Sequence, residues 1–433
     1  MSLYTEHIDV IEERWPIIFT QLQEVDNNVN TIELVKEHEL SLVFNQIQIA
    51  SSYDQFTEAH VQLQILPINI TDVTLYGSGI GTIPNILIDN DNLVSINVVI
   101  LNMALFKACL HYFSQSKWLV DSRVNLCLPR RNEKVSIHFV ALPAELALAT
   151  DESASIRDRI YLALDHPFIE AKKGIANKQL HQDIIHNIEF IKKDNDIASL
   201  FLSGKNKKYI VCGAGPTLAE HYALLTQKEI RTHFTLVAVD AAVTPLLNHG
   251  IMPDIIVSID PVANKLFSAL NMNDFKEIPL VYFPVVTSDL LLRWQGPRYT
   301  AYSTGRLYDS IHKNEPKGRL YCAGSVIHPA IDLVVKMGAS EVVLLGADFS
   351  FPEGRTHTHW EEDTSVDAVH MTIEQSSHWV LNGFNERVPT LLNYRGYLRD
   401  LEDYITLAAH VVFYNGSNKG AAIQGVKIWP KLL

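Results

Sequence analysis

The sequence predicts an α/β protein with two parallel-sheet domains joined by a helical connection. Three observations lead there. Short, continuous apolar runs recur along the chain, as expected of strands buried on both faces. Several of these runs end in glycine turns that open helix-like segments, which is the alternation of a parallel sheet. Between the two halves, residues 151–204 become polar, charged and helical. The resulting division is an N-terminal α/β domain over 1–150, a helical linker over 151–204 and a larger α/β domain over 205–433.

Composition narrows the class. Hydrophobic residues make up 47% of the 433 and charged residues 20%, an ordinary globular balance that excludes a disordered, collagenous or fibrous chain. Lys and Arg number 36 against 49 Asp and Glu, a net charge of −13. With no long basic run, nucleic acid is a poor partner. Small phosphorylated ligands stay open, because one site needs only a few local donors. Cys109, Cys127, Cys212 and Cys322 are too far apart for a CxxC motif and read as reduced, mostly buried thiols. The N-terminal MSLYTEHIDVIEERW lacks the basic-then-apolar order of a signal peptide. No run approaches the ~20 apolar residues of a spanning helix. A soluble, cytoplasmic protein is expected.

In the first half, VIEERWPIIFTQL is the clearest amphipathic stretch. DVTLY reads as a strand running into Gly77-Ser78-Gly79-Ile80-Gly81. SINVVILN is a second strand, MALFKACLHYF a helix with Phe106, Leu110 and Phe113 on one face, and VSIHFVALP a further strand. The GSGIG turn looks like the first glycine loop of a methyltransferase-type Rossmann domain. Where such domains carry a ribose-holding acid after the second strand, this chain has Asn102. The N-terminal domain therefore reads as a degenerate Rossmann-like scaffold or acceptor-binding domain.

The second half carries six strand candidates: KYIVCG, FTLVAVD, DIIVSID, PLVYFP, RLYCAG and EVVLLGAD. Gly213, Gly215 and Pro216 follow the first. Thr217 and Glu220 have capping-box spacing at the start of a helix with Leu218, Tyr222 and Leu225 on one face. A glycine turn leading into a helix N-terminus can approach an anion closely, so residues 213–217 are a candidate phosphate site. Asp240, Asp260 and Asp348 each end a strand, and three such acids would gather along the edge where open α/β sheets bind ligands. Gly324 and Ser325 repeat the strand–glycine–helix logic. Ser325 is placed to cap VIHPAIDLVVKMG, with Pro329 in the first turn and Gly338 as the stop.

Histidines cluster next. His357 and His359 are followed by Glu361, Glu362, Asp363, His370 and His378. The spacing leaves three readings open: a metal pair, an acid/base or phosphate-contacting His, or solvated loop histidines. A neutral His near pH 7 suits the deprotonation of an acceptor hydroxyl. The tail helix is read with Leu398, Leu401, Ile405 and Val412 on one face.

Together the blocks GAGPTL, VAVDAAVTPLLNHGIMPDIIVSIDP, CAGSVIHPAIDLVVKMGASEVVLLGADFSFPEGRTHTH and NGSNKGAAIQG resemble one family, over about residues 205–425. It is the domain shared by bacterial motility accessory factors, which modify flagellin, and by 6-hydroxymethylpterin diphosphokinase MptE-like (DUF115) proteins. The two-domain layout looks like the motility factors, whose central domain resembles sialyltransferases. The resemblance implies a Rossmann-like central domain and transfer of a nonulosonic acid, of pseudaminic or legionaminic type, from a CMP donor to Ser or Thr of flagellin. It implies Gly213, Gly215, Pro216 and Thr217 for the donor loop, Gly324 and Ser325 for a second loop, and Asp348 and His357 for the GxD…TH block. Ala214 and Thr217 depart from the Asn and Ser of the sialyltransferase loop. Asp240 or Asp260 would orient ribose or sugar, and His357 would be the base. Asn415, Ser417 and Lys419 would lie on a loop closing over the donor.

Two alternatives stand beside this. A diphosphokinase would bind ATP with Mg²⁺ through Asp240, Asp260 and Asp348. A non-catalytic flagellin-binding factor would need the glycine turns only for the fold. Flagellin and a nucleotide-sugar are the expected partners. No firm cofactor is expected, and a homo-oligomer is compatible with the sequence.

Overall fold

The structure, a computed structural model, describes all residues except 1, 27–30, 131–132, 174–177, 262, 356, 359–375, 377 and 431–433, and leaves out the side chains of 166–178 and 263–264. The chain forms two compact units, residues 1–164 and 165–433. Both are mixed α/β, each built on a parallel sheet. No helix among the described residues is long and apolar enough to cross a membrane.

The first unit opens with helices Leu3–Arg14 and Pro16–Glu24. The expected single amphipathic stretch breaks at Trp15, because the residue before a proline is pushed out of helical geometry. Its central sheet has four parallel strands: β1 (Asp72–Tyr76), β2 (Ser95–Val99), β3 (Val124–Cys127) and β4 (Phe139–Ala141), in the order β3-β2-β1-β4. Asn102 does not stand in for a ribose-binding acid. It is the N-cap of helix α1 (Met103–Tyr112), accepting the Leu105 N–H at 3.0 Å and donating to the Leu148 carbonyl at 2.7 Å.

The second unit holds nine parallel strands. In chain order they are β5 (Asn195–Asp196), β6 (Lys208–Cys212), β7 (Phe234–Val239), β8 (Ile255–Ser258), β9 (Leu280–Tyr282), β10 (Arg298–Thr300), β11 (Glu341–Leu345), β12 (Val412–Asn415) and β13 (Lys427–Ile428). Their spatial order is β13-β12-β11-β6-β7-β8-β9-β10-β5. Three helices matter for the site: α2 (Asp240–Asn248), α3 (Ile327–Lys336) and α4 (Leu392–Leu407). Five of the six expected strands lie in this sheet. The sixth, in RLYCAG, is Arg319–Leu320, and it pairs instead with Tyr302–Ser303 in a separate two-stranded sheet. The residues read as a linker are divided between the units, and Asn195–Asp196 is the edge strand of the large sheet. Val412 does not belong to the tail helix face: it opens β12 and is exposed, while Leu398, Leu401 and Ile405 are buried.

The fully buried residues of β6, β7 and β11 explain their unbroken apolar runs. At the carboxyl ends of β6 and β11 the two backbones come unusually close. Gly213 donates to the Leu345 carbonyl at 2.8 Å, and Gly215 to the Gly346 carbonyl at 2.9 Å. A Cβ on Gly213 would stand 2.5 Å from the Gly346 oxygen, and one on Gly346, whose φ is +65°, 2.6 Å from the Gly213 oxygen. Both positions therefore demand glycine for close approach. Gly213→Ala and Gly346→Ala are each expected to cost about 1–3 kcal/mol in urea unfolding, the range for forced overpacking. Gly250→Ala, at φ +71° with nothing within 4 Å, should lose only the backbone share of about 1 kcal/mol.

Candidate functional site

The strand order of the large sheet reverses between β6 and β11: the chain runs from β6 out through β7 to β10, and from β11 out through β12 to β13. Open α/β sheets form their ligand crevice at such a switch point, beyond the carboxyl ends of the strands. A cleft of about 140 Å³ lies there. Residues 213–215 and 346–350 form its floor, Ser325 and the start of α3 one wall, and His357, Tyr394 and Tyr397 further parts of its lining.

The floor is tightly latched. Asp348 is buried and its carboxyl faces the 213–217 turn, Oδ2 accepting the Thr217 N–H at 2.9 Å and Oδ1 the Thr217 hydroxyl. Burial pushes this carboxyl up to about 6, and the Thr217 bonds pull the other way. The expected capping box is not formed: residues Pro216–His221 are a 3₁₀ turn, and its cap carboxyl comes from Asp348. A Cβ on Gly215 would meet Asp348 Oδ2 at 2.4 Å, and one on Gly420 its Oδ1 at 2.6 Å. The N–H groups of Gly213, Gly215 and Thr217 are thus all engaged, and Pro216 has none. The phosphate cradle expected from these four residues has lost the donors it would need.

The opposite wall differs. Gly324 has φ +96°, and a Cβ there would stand 2.8 Å from the Tyr397 ring. Ser325 does not cap the helix as expected: Val326 occupies the N-cap position, with no side-chain cap. Among the described residues, the Ser325 hydroxyl and the N–H groups of Ser325, Val326 and Ile327 have no protein acceptor. The start of α3 therefore adds anion-ready donors to the cleft, beside the Ala214 N–H of the first glycine turn.

His328 holds that wall in place. Its Nδ1 accepts the Ala323 N–H at 3.2 Å, so its Nε2 donates to the Tyr397 carbonyl at 3.0 Å. Burial pushes the imidazole down to about 4, fixing it neutral. A second tie runs through Asp332, which accepts the Tyr321 N–H at 2.6 Å, Lys336 at 2.8 Å and the Tyr404 hydroxyl at 2.7 Å. Helix α4 is therefore pinned to α3 at both Tyr397 and Tyr404.

The other expected site residues separate. His357 lines the cleft, drawn in by the neighbouring Thr358, whose N–H donates to Ala214 at 3.0 Å and whose hydroxyl meets that of Tyr222 at 2.8 Å. Burial pushes its imidazole down to about 4. Asp240 is buried behind the cleft, accepting the Ser258 hydroxyl and the Ala241 N–H, both at 2.8 Å, and burial pushes it up to about 6. Asp260 is exposed. Asn415 and Ser417 shape the turn after β12, where Asn415 Oδ1 accepts the Ser417 N–H and Ser417 Oγ accepts the Lys419 N–H. Neither lines the cleft. Lys419 pairs with Glu353 at 2.8 Å and Glu220 at 3.1 Å. His359, Glu361, Glu362, Asp363 and His370 lie outside the described residues. Among those described, no group of three His, Cys, Asp or Glu is placed to hold a metal.

Tyr394 and Tyr397 were not anticipated. They stand one turn apart on α4, ring centroids 6.2 Å apart, and give the cleft an aromatic side. Their i, i+3 spacing in NYRGY was the available signal. Phe349 is a further surprise, at φ +47° in the floor, a strained conformation for a bulky residue. Its carbonyl accepts the Thr390 hydroxyl at 2.6 Å.

Comparison with known proteins places one segment. Residues 182–354 match the family model described as 6-hydroxymethylpterin diphosphokinase MptE-like. The matched segment supplies the cleft floor and the Ser325 wall; His357, Tyr394 and Tyr397 lie beyond it. Among solved structures, MAf glycosyltransferase from Magnetospirillum magneticum AMB-1 is 13% identical, with a TM-score of 0.46, covering 99% of this chain and 74% of that one. The sialyltransferase CstII from Campylobacter jejuni, in complex with the substrate analogue cytidine-5'-monophosphate, is 11% identical, with a TM-score of 0.24, covering 52% and 86%. No curated protein matches the chain.

His328, within the matched segment, gives a pH prediction. Its imidazole protonates near 6.5 when unfolded and near 4 when folded. Between those values the unfolded chain binds more protons, so the stabilisation is complete above about pH 6.5 and is lost as pH falls towards 4. The loss amounts to about 3 kcal/mol. Asp240 and Asp348, raised to about 6, act in the opposite sense. Urea unfolding of His328→Gln at pH 7.5 and pH 5 should therefore show a smaller acid loss than the unsubstituted protein.

Proposed function

We propose that the protein is a nucleotide-sugar-dependent glycosyltransferase that moves a nonulosonic acid from a CMP donor to Ser or Thr of flagellin. The observation that carries this is the switch-point cleft, which combines free donors at the start of α3 with an aromatic side on α4. The CMP phosphate would rest on Ser325 and the N–H groups of residues 325–327, and the cytosine against Tyr394 or Tyr397. In the reaction the bond between the sugar's anomeric carbon and the phosphate oxygen breaks, and CMP leaves with the electron pair. The acceptor hydroxyl oxygen forms the new bond to that carbon, and its proton passes to His357. An imidazole held near 4 is a weak base, but an anion bound beside it would raise its affinity for a proton. Oriented N–H groups would stabilise the leaving phosphate. Asp348 has a positioning role in this reading, holding the turn through Thr217.

The description of the MptE-like family supports a second reading, diphosphate transfer from ATP with Mg²⁺. The expected carboxylates fit this poorly. Asp348 is bonded to Thr217, and Asp240 to Ser258 and Ala241.

Thermal shift separates the readings, since a ligand that binds only the folded state raises its stability. CMP without metal is expected to raise the melting temperature, and Ser325→Ala to weaken CMP binding about tenfold, the worth of one lost hydrogen bond to a charged group. Stabilisation by ATP only with Mg²⁺ would favour the diphosphokinase. His357→Ala should retain CMP binding and lose flagellin modification; unchanged modification would point to a non-catalytic flagellin-binding role.

A further inference from the structure

The N-terminal sheet has a switch point of its own, between β1 and β4. The GSGIG turn leaves the carboxyl end of β1 there. Gly77, Gly79 and Gly81 have φ of +92°, +53° and +99°. Successive N–H groups in such a turn converge on one point and form a concave anion seat. In this structure that point is filled. Glu145, in the short helix Pro143–Ala147 that follows β4, accepts the Gly79 N–H on Oε1 at 2.8 Å, and the neighbouring Ser78 N–H also favours its charged form. Its side chain is 2% exposed. A Cβ on Gly77 would stand 2.5–2.6 Å from three of its carbons, so the turn and the side chain are fitted to each other.

We propose that Glu145 is the resident anion of the GSGIG turn, a carboxyl of the chain itself seated where a nucleotide-binding turn holds phosphate, and that it closes this crevice to phosphate-bearing ligands. An open cofactor turn would present the Ser78 and Gly79 N–H groups to solvent, yet Ser78 is 3% exposed. The groups acting on the Glu145 carboxyl are the turn's own N–H donors: burial pushes it up to about 7, and the Gly79 and Ser78 bonds pull it down. A cavity of about 150 Å³ lies alongside, lined by Ser78, Gly79, Thr82 and Leu142 and by Gln55, Glu58 and Gln62. Glu145 is not part of its lining. Shortening Glu145 would join this cavity to the turn's donors and leave a latent site for a phosphate or pyrophosphate group.

Hydrogen exchange of the full chain, followed by mass spectrometry over residues 76–82, tests this with inorganic pyrophosphate as the probe. In the unsubstituted protein the Ser78 and Gly79 amides should be protected without ligand, and millimolar pyrophosphate should leave them unchanged. Glu145→Gln keeps an acceptor oxygen and should keep the protection. Glu145→Ala should exchange about tenfold faster there, matching one lost hydrogen bond, with protection restored by pyrophosphate. Fast exchange in the unsubstituted protein, or added protection on giving it pyrophosphate, would overturn the proposal. Those two arms decide it even if Glu145→Ala does not fold.

Discussion

The crevice of the large sheet depends on the contact between two glycines. Gly213 and Gly346 let the ends of β6 and β11 approach until each carbonyl lies where the other's Cβ would be. Once the backbones are that close, Asp348 can reach across to Thr217, and Gly215 and Gly420 leave room for its carboxyl. The floor gains rigidity by this arrangement, and the Gly213, Gly215 and Thr217 N–H groups are taken up in it. On the Ser325 wall, the start of α3 has further donors without acceptors among the described residues.

The two units answer one geometric problem in related ways. In each, a glycine turn leaves a strand at a switch point, and a carboxyl from just beyond the strand across that point accepts one N–H of the turn. In the large unit the carboxyl sits beside the turn and a cleft remains open past it. In the N-terminal unit Glu145 fills the turn itself. A sequence shows the glycines in both cases and gives no sign of which turns are already occupied, because the occupant comes from far along the chain: position 145 for residues 77–81, and position 348 for residues 213–217.

That distance also explains what was legible. Strands buried on both faces, such as KYIVC and EVVLL, announce themselves by continuous apolar runs, and the parallel α/β class follows from them. Arg298–Thr300, Asn195–Asp196 and Lys427–Ile428 escaped because strands of two or three residues carry no periodicity. Asp240, Asp260 and Asp348 fall one, two and three residues past the ends of β7, β8 and β11, and an acid there turns inwards or outwards according to neighbours the sequence does not reveal. Ser258 and Thr217 turned two of them inwards. Tyr394 and Tyr397 belong to no motif that the sequence shows, and His328 lies within the run VIHPAIDLVVKMG. Their part in the cleft appears only when α3 and α4 are seen side by side.

The double attachment of α4 to α3 has a thermodynamic meaning for whatever enters the cleft. The Tyr397 carbonyl is held by His328, and the Tyr404 hydroxyl by Asp332. Backbone and helix axis on that side are already fixed before any ligand arrives. A planar group docking there would meet a wall whose ordering entropy was settled during folding, so the association would carry little further loss of chain freedom. Discrimination among ligands would then follow from the shape of the two rings, since a helix fastened at both places cannot shift to suit a different guest.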